Sequence, residues 1–317
     1  MKKILLPLII VIAVIAAALA LRQSPSQYGA HSGKLKIGAT IFALSDIARA
    51  IGGDQVTVVN ILPAGASPHT FEPAPSAIRS LQNAPVVFAI GHELDNWVAD
   101  IAESISGLET YVVDANIRLR SFEDKHVDEH MDENEEHDEA ENHEHTHGEL
   151  DPHYWLAIPN AKIIAQNMAN KLAELDPEHA QEYQMNLANY QNELTLLETE
   201  LNQKIAPFYG REIITFHNAW YYFADALNLS IAGVFVPAPG KEPTPKYLES
   251  LYRTAQAHNI TTIFSEPGLS TETLEPFLSD LGLSTRLLNP VTGGGPKDSF
   301  IAVMRYNVDT IINALNE

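Results

Sequence analysis

The sequence contains no cysteine, which excludes disulfide bonds, thiolate zinc sites, iron–sulfur clusters and cysteine nucleophiles. Basic residues are also few: 20 lysines and arginines stand against 41 acidic residues, giving a formal charge of −21. Binding to nucleic acids needs a basic surface, so we expect no nucleic-acid partner. Hydrophobic residues make up 45% of the 317 residues, which is enough for about two globular domains.

Residues 1–20 have the pattern of a secretory signal peptide. Two lysines precede an apolar run that extends to Leu21, and Ala18-Leu19-Ala20 offers a small-residue cleavage site. We expect cleavage after Ala20 and a periplasmic protein, without a lipid anchor because no cysteine is present to carry one. The alternative is an uncleaved membrane anchor, since the apolar run is near the lower limit of length for spanning a bilayer.

Short apolar runs alternate with helical patterns in both halves of the chain, which predicts an α/β fold with mostly parallel sheets flanked by helices. We assign residues 21–176 to an N-terminal α/β lobe and residues 207–317 to a C-terminal α/β lobe. The predicted strands lie at 35–40, 56–62, 86–91, 110–115, 212–217, 230–236, 261–267 and 284–290.

Residues 177–206 are predicted to form one long helix that joins the two lobes. Asp176 is its expected N-cap, with Pro177 at the first helical position. Apolar residues recur at spacings of three and four, which is typical of a helix with one buried face. This stripe consists of Tyr183, Leu187, Tyr190, Leu194, Leu197 and Leu201.

Residues 121–150 form an acidic, histidine-rich loop that we expect to be disordered, because it has too few apolar residues to fold by itself. Between positions 123 and 149 there are 13 acidic residues and one lysine. Histidine-rich tracts bind metal ions weakly and in several arrangements, so the loop is a candidate collector of divalent cations. The alternative is a solvated insertion without a role. Its histidines are His126, His130, His137, His143, His145 and His147.

Three other histidines fall where parallel α/β sheets bind ligands. His69 lies in the loop after the second predicted strand, His217 ends the first strand of the second lobe, and His153 follows the acidic loop. The carboxyl ends of strands in two lobes can face each other across a cleft, so these imidazoles can converge. Three imidazoles suit zinc, copper, nickel or iron and leave a fourth position for a carboxylate, an amide oxygen or water. The alternative is that packing satisfies each histidine separately.

The chain resembles cluster A-I of the ABC-transporter solute-binding proteins, the group of metal-binding lipoproteins and zinc-uptake proteins. The resemblance implies that His69, His153 and His217 are ligands in a cleft between two lobes, which a rigid helix joins with little hinge closure. It also implies a partner, the membrane permease of an ABC importer. We expect the protein itself to be a monomer. The similar stretches are GASPHTFEPAPSAIRSLQNAPVVFAIG (65–91), DPHYWLAIPNAKIIAQNMA (151–169), ITFHNAWYYFADALNL (214–229), IFSEP (263–267) and RLLNP (286–290).

The resemblance favours Zn²⁺ over Mn²⁺, because manganese-type members generally carry glutamate where His217 stands. Zinc-type members commonly also have an acidic, histidine-rich loop before the DPH motif. The family usually has aspartate in a DP pair near the last strand, whereas this chain has Asn289-Pro290. Asn289, a water held by Asn289, Glu72 and Glu266 are therefore all open as the fourth ligand. We expect somewhat weaker or less zinc-selective binding than with aspartate.

Two functions fit these residues. The first is a binding protein, not an enzyme, that captures zinc in the periplasm and delivers it to a permease. The alternative is a zinc hydrolase or hydratase of the carbonic-anhydrase type, in which three histidines hold a metal whose bound water becomes the nucleophile. The sequence shows no convincing general base, nucleophile elbow or phosphate-binding loop, which favours the binding protein.

Overall fold

A computed structural model describes residues 33–122, 150–236, 244–267, 278–279, 281–290 and 299–317. The predicted signal peptide (1–20) and the six histidines of the acidic loop lie outside these residues. Within the described ranges, none of the helices combines the length and the hydrophobicity needed to cross a membrane.

The N-terminal lobe contains a sheet of four parallel strands. Its strands are β1 (Leu35–Ala39), β2 (Val56–Asn60), β3 (Val86–Ala89) and β4 (Glu109–Val112), in the spatial order β2-β1-β3-β4. The connecting helices are α1 (Phe42–Gly52), α2 (Pro75–Ser80) and α3 (Trp97–Glu103). All four residues of β3 are buried, as expected for a central strand that helices cover on both faces.

A helical segment connects the lobes. It begins with a 3₁₀ turn at His153–Leu156, continues as α4 (Ile158–Leu175), and passes through a 3₁₀ turn at Pro177–His179 into α5 (Ala180–Ile205). At 1.5 Å per residue, the 26 residues of α5 span about 39 Å. The long helix predicted from the sequence is therefore present.

Asp176 immediately precedes the helical segment that begins at Pro177, as predicted, but Asp176 does not act as a side-chain cap. A 3₁₀ turn separates this residue from α5, and its side chain caps no backbone N–H group. Instead, Oδ2 of Asp176 accepts hydrogen bonds from the hydroxyl of Tyr183 at 2.7 Å and from Nδ1 of His179 at 2.8 Å. The carboxylate thus forms hydrogen bonds with side chains at the start of the helix and not with the backbone N–H groups of the helix.

The C-terminal lobe repeats the arrangement of the first. Its strands are β5 (Glu212–His217), β6 (Ser230–Val236), β7 (Thr262–Ser265) and β8 (Ser284–Leu287), all parallel and in the order β6-β5-β7-β8. Its described helices are α6 (Tyr221–Ala226), α7 (Pro245–Ala257) and α8 (Phe300–Leu315). Two parallel sheets flanked by helices confirm the predicted fold class.

Helix α5 packs against elements of both lobes. Its partners are α1 of the N-terminal lobe, the preceding helix α4, and α8 of the C-terminal lobe. The six residues of the predicted apolar stripe are all buried, together with Ile205. Burial of this face fixes the helix between the lobes, so it serves as a common support for both sheets.

Candidate metal centre

Three histidines from separate parts of the fold meet in one place. His69 lies in the loop after β2, His153 begins the 3₁₀ turn before α4, and His217 is the last residue of β5. One ring nitrogen from each lies within 4.8 Å of the other two. The ring centroids are 5.0 to 5.4 Å apart. The carboxyl ends of β2 and β5 therefore face each other, and the three imidazoles come within reach of a single ion.

Asp151 positions the ring of His153. Its Oδ1 atom accepts hydrogen bonds from Nδ1 of His153 at 2.8 Å and from the backbone N–H of the same residue at 3.0 Å. Both residues are only 1% exposed. With its proton on Nδ1, the ring presents the Nε2 lone pair, which lies 3.2 Å from Nε2 of His69.

Glu266 has the same role behind His217. Both of its carboxylate oxygens lie 3.2 Å from Nδ1 of His217, and Oε1 also accepts a 2.8 Å hydrogen bond from Nε1 of Trp220. Nε2 of His217 is buried and has no hydrogen-bond partner among the described residues. A buried, unpartnered nitrogen is costly unless a proton or a cation completes it.

Glu266 is held in its ionised form. Burial by itself raises the pKa of this carboxyl group. The neighbouring imidazole of His217 and the hydrogen bonds from His217 and Trp220 outweigh that effect, so the pKa of Glu266 lies below its usual value. The carboxylate is therefore anionic at neutral pH.

Trp97 fixes the loop that carries His69. Its Nε1 atom donates a 2.9 Å hydrogen bond to the carbonyl oxygen of Pro68, the neighbour of His69. The ring of Trp97 also packs edge-on against Phe71 at 4.9 Å. Because Trp97 begins α3, the irregular loop is anchored to a regular element on both sides of the histidine.

The backbone at Asn289 is fixed by a buried amide. Asn307, which is 0% exposed, accepts a 2.8 Å hydrogen bond from the backbone N–H of Asn289 and donates one of 2.9 Å to its carbonyl oxygen. The Nε1 atom of Trp155 donates a 2.8 Å hydrogen bond to the carbonyl oxygen of Pro290. The ring of Trp155 lies 5.3 Å from that of His153, so this backbone segment reaches the neighbourhood of the three histidines.

The two glutamates considered as a fourth ligand lie elsewhere. Glu72 is exposed, and neither Glu72 nor Glu266 joins the described group of acid and histidine ligand atoms that lie within 4.8 Å of one another. Glu266 faces Nδ1 of His217, on the opposite side of the ring from Nε2. Its position is that of a carboxylate that orients a ligand from behind.

Sequence reasoning missed the supporting residues Asp151, Trp97 and Trp220. Asp151 carried a usable signal, because an acid two residues before a ligand histidine can reach its Nδ1. Trp220 carried none, since its contact with Glu266 joins residues 46 positions apart. The auxiliary histidines of the acidic loop lie outside the described residues, although the two ends of the loop are bridged at Ser121 and Leu150.

Comparison with known proteins agrees with this architecture. The model of the ZnuA family, described as "Zinc-uptake complex component A periplasmic", matches residues 37–314. A crystal structure of ZnuA has a TM-score of 0.74 and 28% identity, covering 89% of this chain and 99% of that chain.

Curated relatives are named for more than one metal. The manganese ABC transporter substrate-binding lipoprotein scaA of Streptococcus gordonii is 27% identical over 325 residues, covering 99% of both chains. The zinc-binding protein AdcA of Streptococcus pyogenes is 24% identical over 287 residues, which cover 88% of this chain and 56% of AdcA. The name lipoprotein differs from our expectation of no lipid anchor, which rests on the absence of cysteine. The match over residues 37–314 and the shared two-lobed fold show that this chain belongs to the ZnuA family of metal ABC transporter substrate-binding proteins.

Proposed function

We propose that this protein binds a divalent transition-metal ion outside the cytoplasm, with zinc preferred, and delivers it to the permease of an ABC importer. The observation that carries this proposal is the convergence of His69, His153 and His217 within 4.8 Å. We propose these three as ligands, with Asn289 or a water that it holds as the fourth. The predicted signal peptide at residues 1–20 and a periplasmic, monomeric protein fit this role.

The donor set supports zinc over manganese. Imidazole nitrogen suits zinc and its neighbours in the transition series, whereas manganese favours carboxylate and carbonyl oxygen. The described group of converging ligand atoms contains three imidazoles and no carboxylate. The names of relatives include both metals, so the ligand chemistry of this chain supplies the basis for the preference.

The placement of the acids supports a binding role over a hydrolase. A hydrolytic zinc needs a general base within hydrogen-bond reach of its bound water. Among the described residues, Asp151 and Glu266 contact two of the candidate ligands, and both accept hydrogen bonds from Nδ1 of those rings. They hold the ligands in place and face away from the position of a bound water.

Calorimetric titration of the purified protein with zinc tests this function. We expect one tight site, and replacing His69, His153 or His217 by alanine should weaken it by more than the 10–100-fold that loss of an outer partner costs. His258→Ala is the matched control, because His258 lies at the end of α7 and pairs with Glu212. Tight binding that survives all three ligand substitutions would contradict the proposed site.

A further inference from the structure

The hydroxyl of Tyr222 bridges the two chain segments that flank the acidic loop. Next to the bridge between Ser121 and Leu150, Arg120 faces Asp151, and in a regular antiparallel pair such residues exchange both of their N–H···O bonds. One bond runs from the backbone N–H of Asp151 to the carbonyl oxygen of Arg120 at 2.8 Å. At the place of the other bond, the Tyr222 hydroxyl accepts from the backbone N–H of Arg120 at 2.7 Å and donates to the carbonyl oxygen of Asp151 at 3.2 Å. The backbone of Asp151 is therefore held by both Arg120 and Tyr222.

Tyr222 connects this backbone to the other lobe. It lies in α6 of the C-terminal lobe, shortly after His217 in the sequence, and is only 6% exposed. The carboxylate of Asp151 in turn accepts a 2.8 Å hydrogen bond from Nδ1 of His153. Contacts thus run from the segment that carries His217, through Tyr222 and Asp151, to His153. The rings of these two histidines lie 5.0 Å apart, so the contacts join two candidate ligands that come from different lobes.

The side chain of Arg120 holds α6 against the same backbone. Its guanidinium group forms an ion pair with Asp225 and is 19% exposed. It also lies 5.4 Å from the ring centroid of Tyr221 and 5.8 Å from that of Tyr222, within the range of cation–π contacts. Arg120 therefore contacts α6 at three residues, which keeps the Tyr222 hydroxyl between the two backbone segments.

We propose that Tyr222 and Arg120 are positioning residues that set the spacing between His153 and His217, and with it the coordination geometry of the bound ion. This inference rests on the proposed function and extends it to two residues that act through other side chains. Zinc sites are almost always tetrahedral, whereas manganese prefers six oxygen ligands in an octahedron. A fixed, short spacing of the two rings favours the tetrahedral arrangement, and loss of the Tyr222 hydroxyl should relax it.

The variant Tyr222→Phe tests this inference, because it keeps the buried ring and removes only the hydroxyl. Titration of the full chain with zinc against a chelator of known affinity should show a Kd raised about 10-fold, at the lower end of the range for loss of an outer partner. Visible absorption of the protein loaded with Co²⁺ is the second readout, because the d–d bands of this ion weaken when tetrahedral geometry is lost. We expect weaker bands in Tyr222→Phe than in the unchanged chain.

Tyr209→Phe is the matched control for loss of a hydroxyl. Tyr209 is 46% exposed, and its hydroxyl donates to the carbonyl oxygen of Asn202 at 3.3 Å, within the segment that ends α5. The Kd for zinc should change by less than about twofold, as is usual for exposed positions, and the cobalt bands should keep their intensity. Urea unfolding of the metal-free variants measures any loss of stability separately from the change at the site.

Arg120→Met is the second variant, and it decides the question if Tyr222→Phe does not fold. Methionine keeps an apolar stem but removes the guanidinium group, so the Kd should rise and the cobalt bands should weaken as in Tyr222→Phe. Because both residues act on the same contacts, the double variant should lose less affinity than the two single losses combined. Arg253→Met is the control, since Arg253 is exposed and pairs with Glu249 within α7.

The outcomes separate this inference from the function beneath it. A raised Kd together with weaker cobalt bands in Tyr222→Phe, while Tyr209→Phe stays unchanged, supports the positioning role. An unchanged Kd in both Tyr222→Phe and Arg120→Met, or a raised Kd with unchanged cobalt bands, would overturn that role and leave the metal-binding function intact. Absence of tight zinc binding by the unchanged chain would overturn both.

Discussion

At the scale of single residues, Asp95 is the buried carboxylate that shapes the loop after β3. It accepts hydrogen bonds from the hydroxyl of Thr40 at 2.6 Å and from the backbone N–H groups of Ile90 and Gly91 at 2.8 Å each. The following His92 and Glu93 have φ angles of 51° and 65°, a region that non-glycine residues seldom occupy. The carboxylate offsets the cost of that backbone by satisfying the N–H groups of the turn.

Asp95→Asn should destabilise the protein by about 1–3 kcal/mol, because one of the donors would then face an amide NH₂ group. Urea unfolding of the metal-free protein measures this difference. Asp100→Asn is the control, since Asp100 lies exposed on α3, and it should leave the free energy of unfolding almost unchanged. Equal stability of Asp95→Asn and the unchanged chain would contradict the role of Asp95.

The effect of Asp95 on stability should also depend on pH. Burial raises the pKa of Asp95 above 3.8, and its hydrogen bonds only partly oppose this shift. The folded protein therefore binds this proton more tightly than the unfolded chain does. The contribution of Asp95 to the free energy of unfolding accordingly falls as the pH rises from 3.8 through the raised pKa. We expect the stability difference between the unchanged chain and Asp95→Asn to be smaller at pH 7 than at pH 4.

At the scale of elements, α5 is stabilised by its buried stripe rather than by its intrinsic helix propensity. Leu197 is 0% exposed, whereas the adjacent Leu196 is 70% exposed. The two residues are of the same type and lie in the same helix, but one side chain is in the core and the other is in solvent. This pair separates the effect of packing from that of helix propensity.

Leu197→Ala should lower the free energy of unfolding by about 2–5 kcal/mol, because it removes buried methyl groups and leaves a cavity in the core. Leu196→Ala should change it by less than about 0.5 kcal/mol, as is usual for exposed positions. Urea or thermal unfolding measures both. Similar losses in the two variants would show that packing of this stripe is not what holds α5 in place.

The elements themselves were largely predictable from the sequence. The runs at 212–217 and 230–236 are strands with the predicted bounds, because their apolar and β-branched residues favour a buried strand from end to end. The runs at 56–62 and 261–267 were predicted too long, since β2 ends at Asn60 and β7 at Ser265. Strands end where pairing with a neighbour stops, and a single-chain pattern does not contain that information.

The candidate ligands could be found from the sequence, but their support could not. His69 follows a predicted strand and His217 ends one, so a general rule about parallel sheets placed them at the same edge. The contact of Glu266 with Trp220 and His217 depends on how β7 approaches β5, which only the folded chain shows. Local sequence patterns indicate which residues can bind an ion, whereas tertiary packing determines which residues hydrogen-bond to those ligands.

At the scale of the whole molecule, several hydrogen bonds join the lobes around the candidate site. Trp155 donates to the carbonyl oxygen of Pro290 at 2.8 Å, and Oδ2 of Asp46 in α1 accepts from the backbone N–H of Phe300 at 2.8 Å. The hydroxyl of Tyr222 donates to the carbonyl oxygen of Asp151 at 3.2 Å. These links favour a pair of lobes that keep their relative position.

The net charge of −21 should attract divalent cations over long distances. We expect the association rate constant for zinc to fall when ionic strength rises from 0.01 M to 0.15 M, because the Debye length shortens from about 30 Å to about 8 Å. Stopped-flow mixing with a fluorescent zinc chelator measures this rate. The dissociation rate constant serves as the internal control and should change little, since salt screens long-range attraction rather than the bonds to the ligands. A salt-independent association rate would contradict electrostatic steering.

His69 contacts His153, which lies 84 positions further along the chain. A metal ion bound by both should therefore influence how long the protein survives proteolysis. An ion held by such distant residues has no comparable site in the unfolded chain, so it adds to the free energy of unfolding, by about 2.7 kcal/mol at a concentration 100 times its Kd. Proteolysis consumes unfolded molecules, and empty copies unfold more often than loaded ones. Turnover of the carrier would thus remove idle molecules first and enrich the surviving pool in those that carry metal.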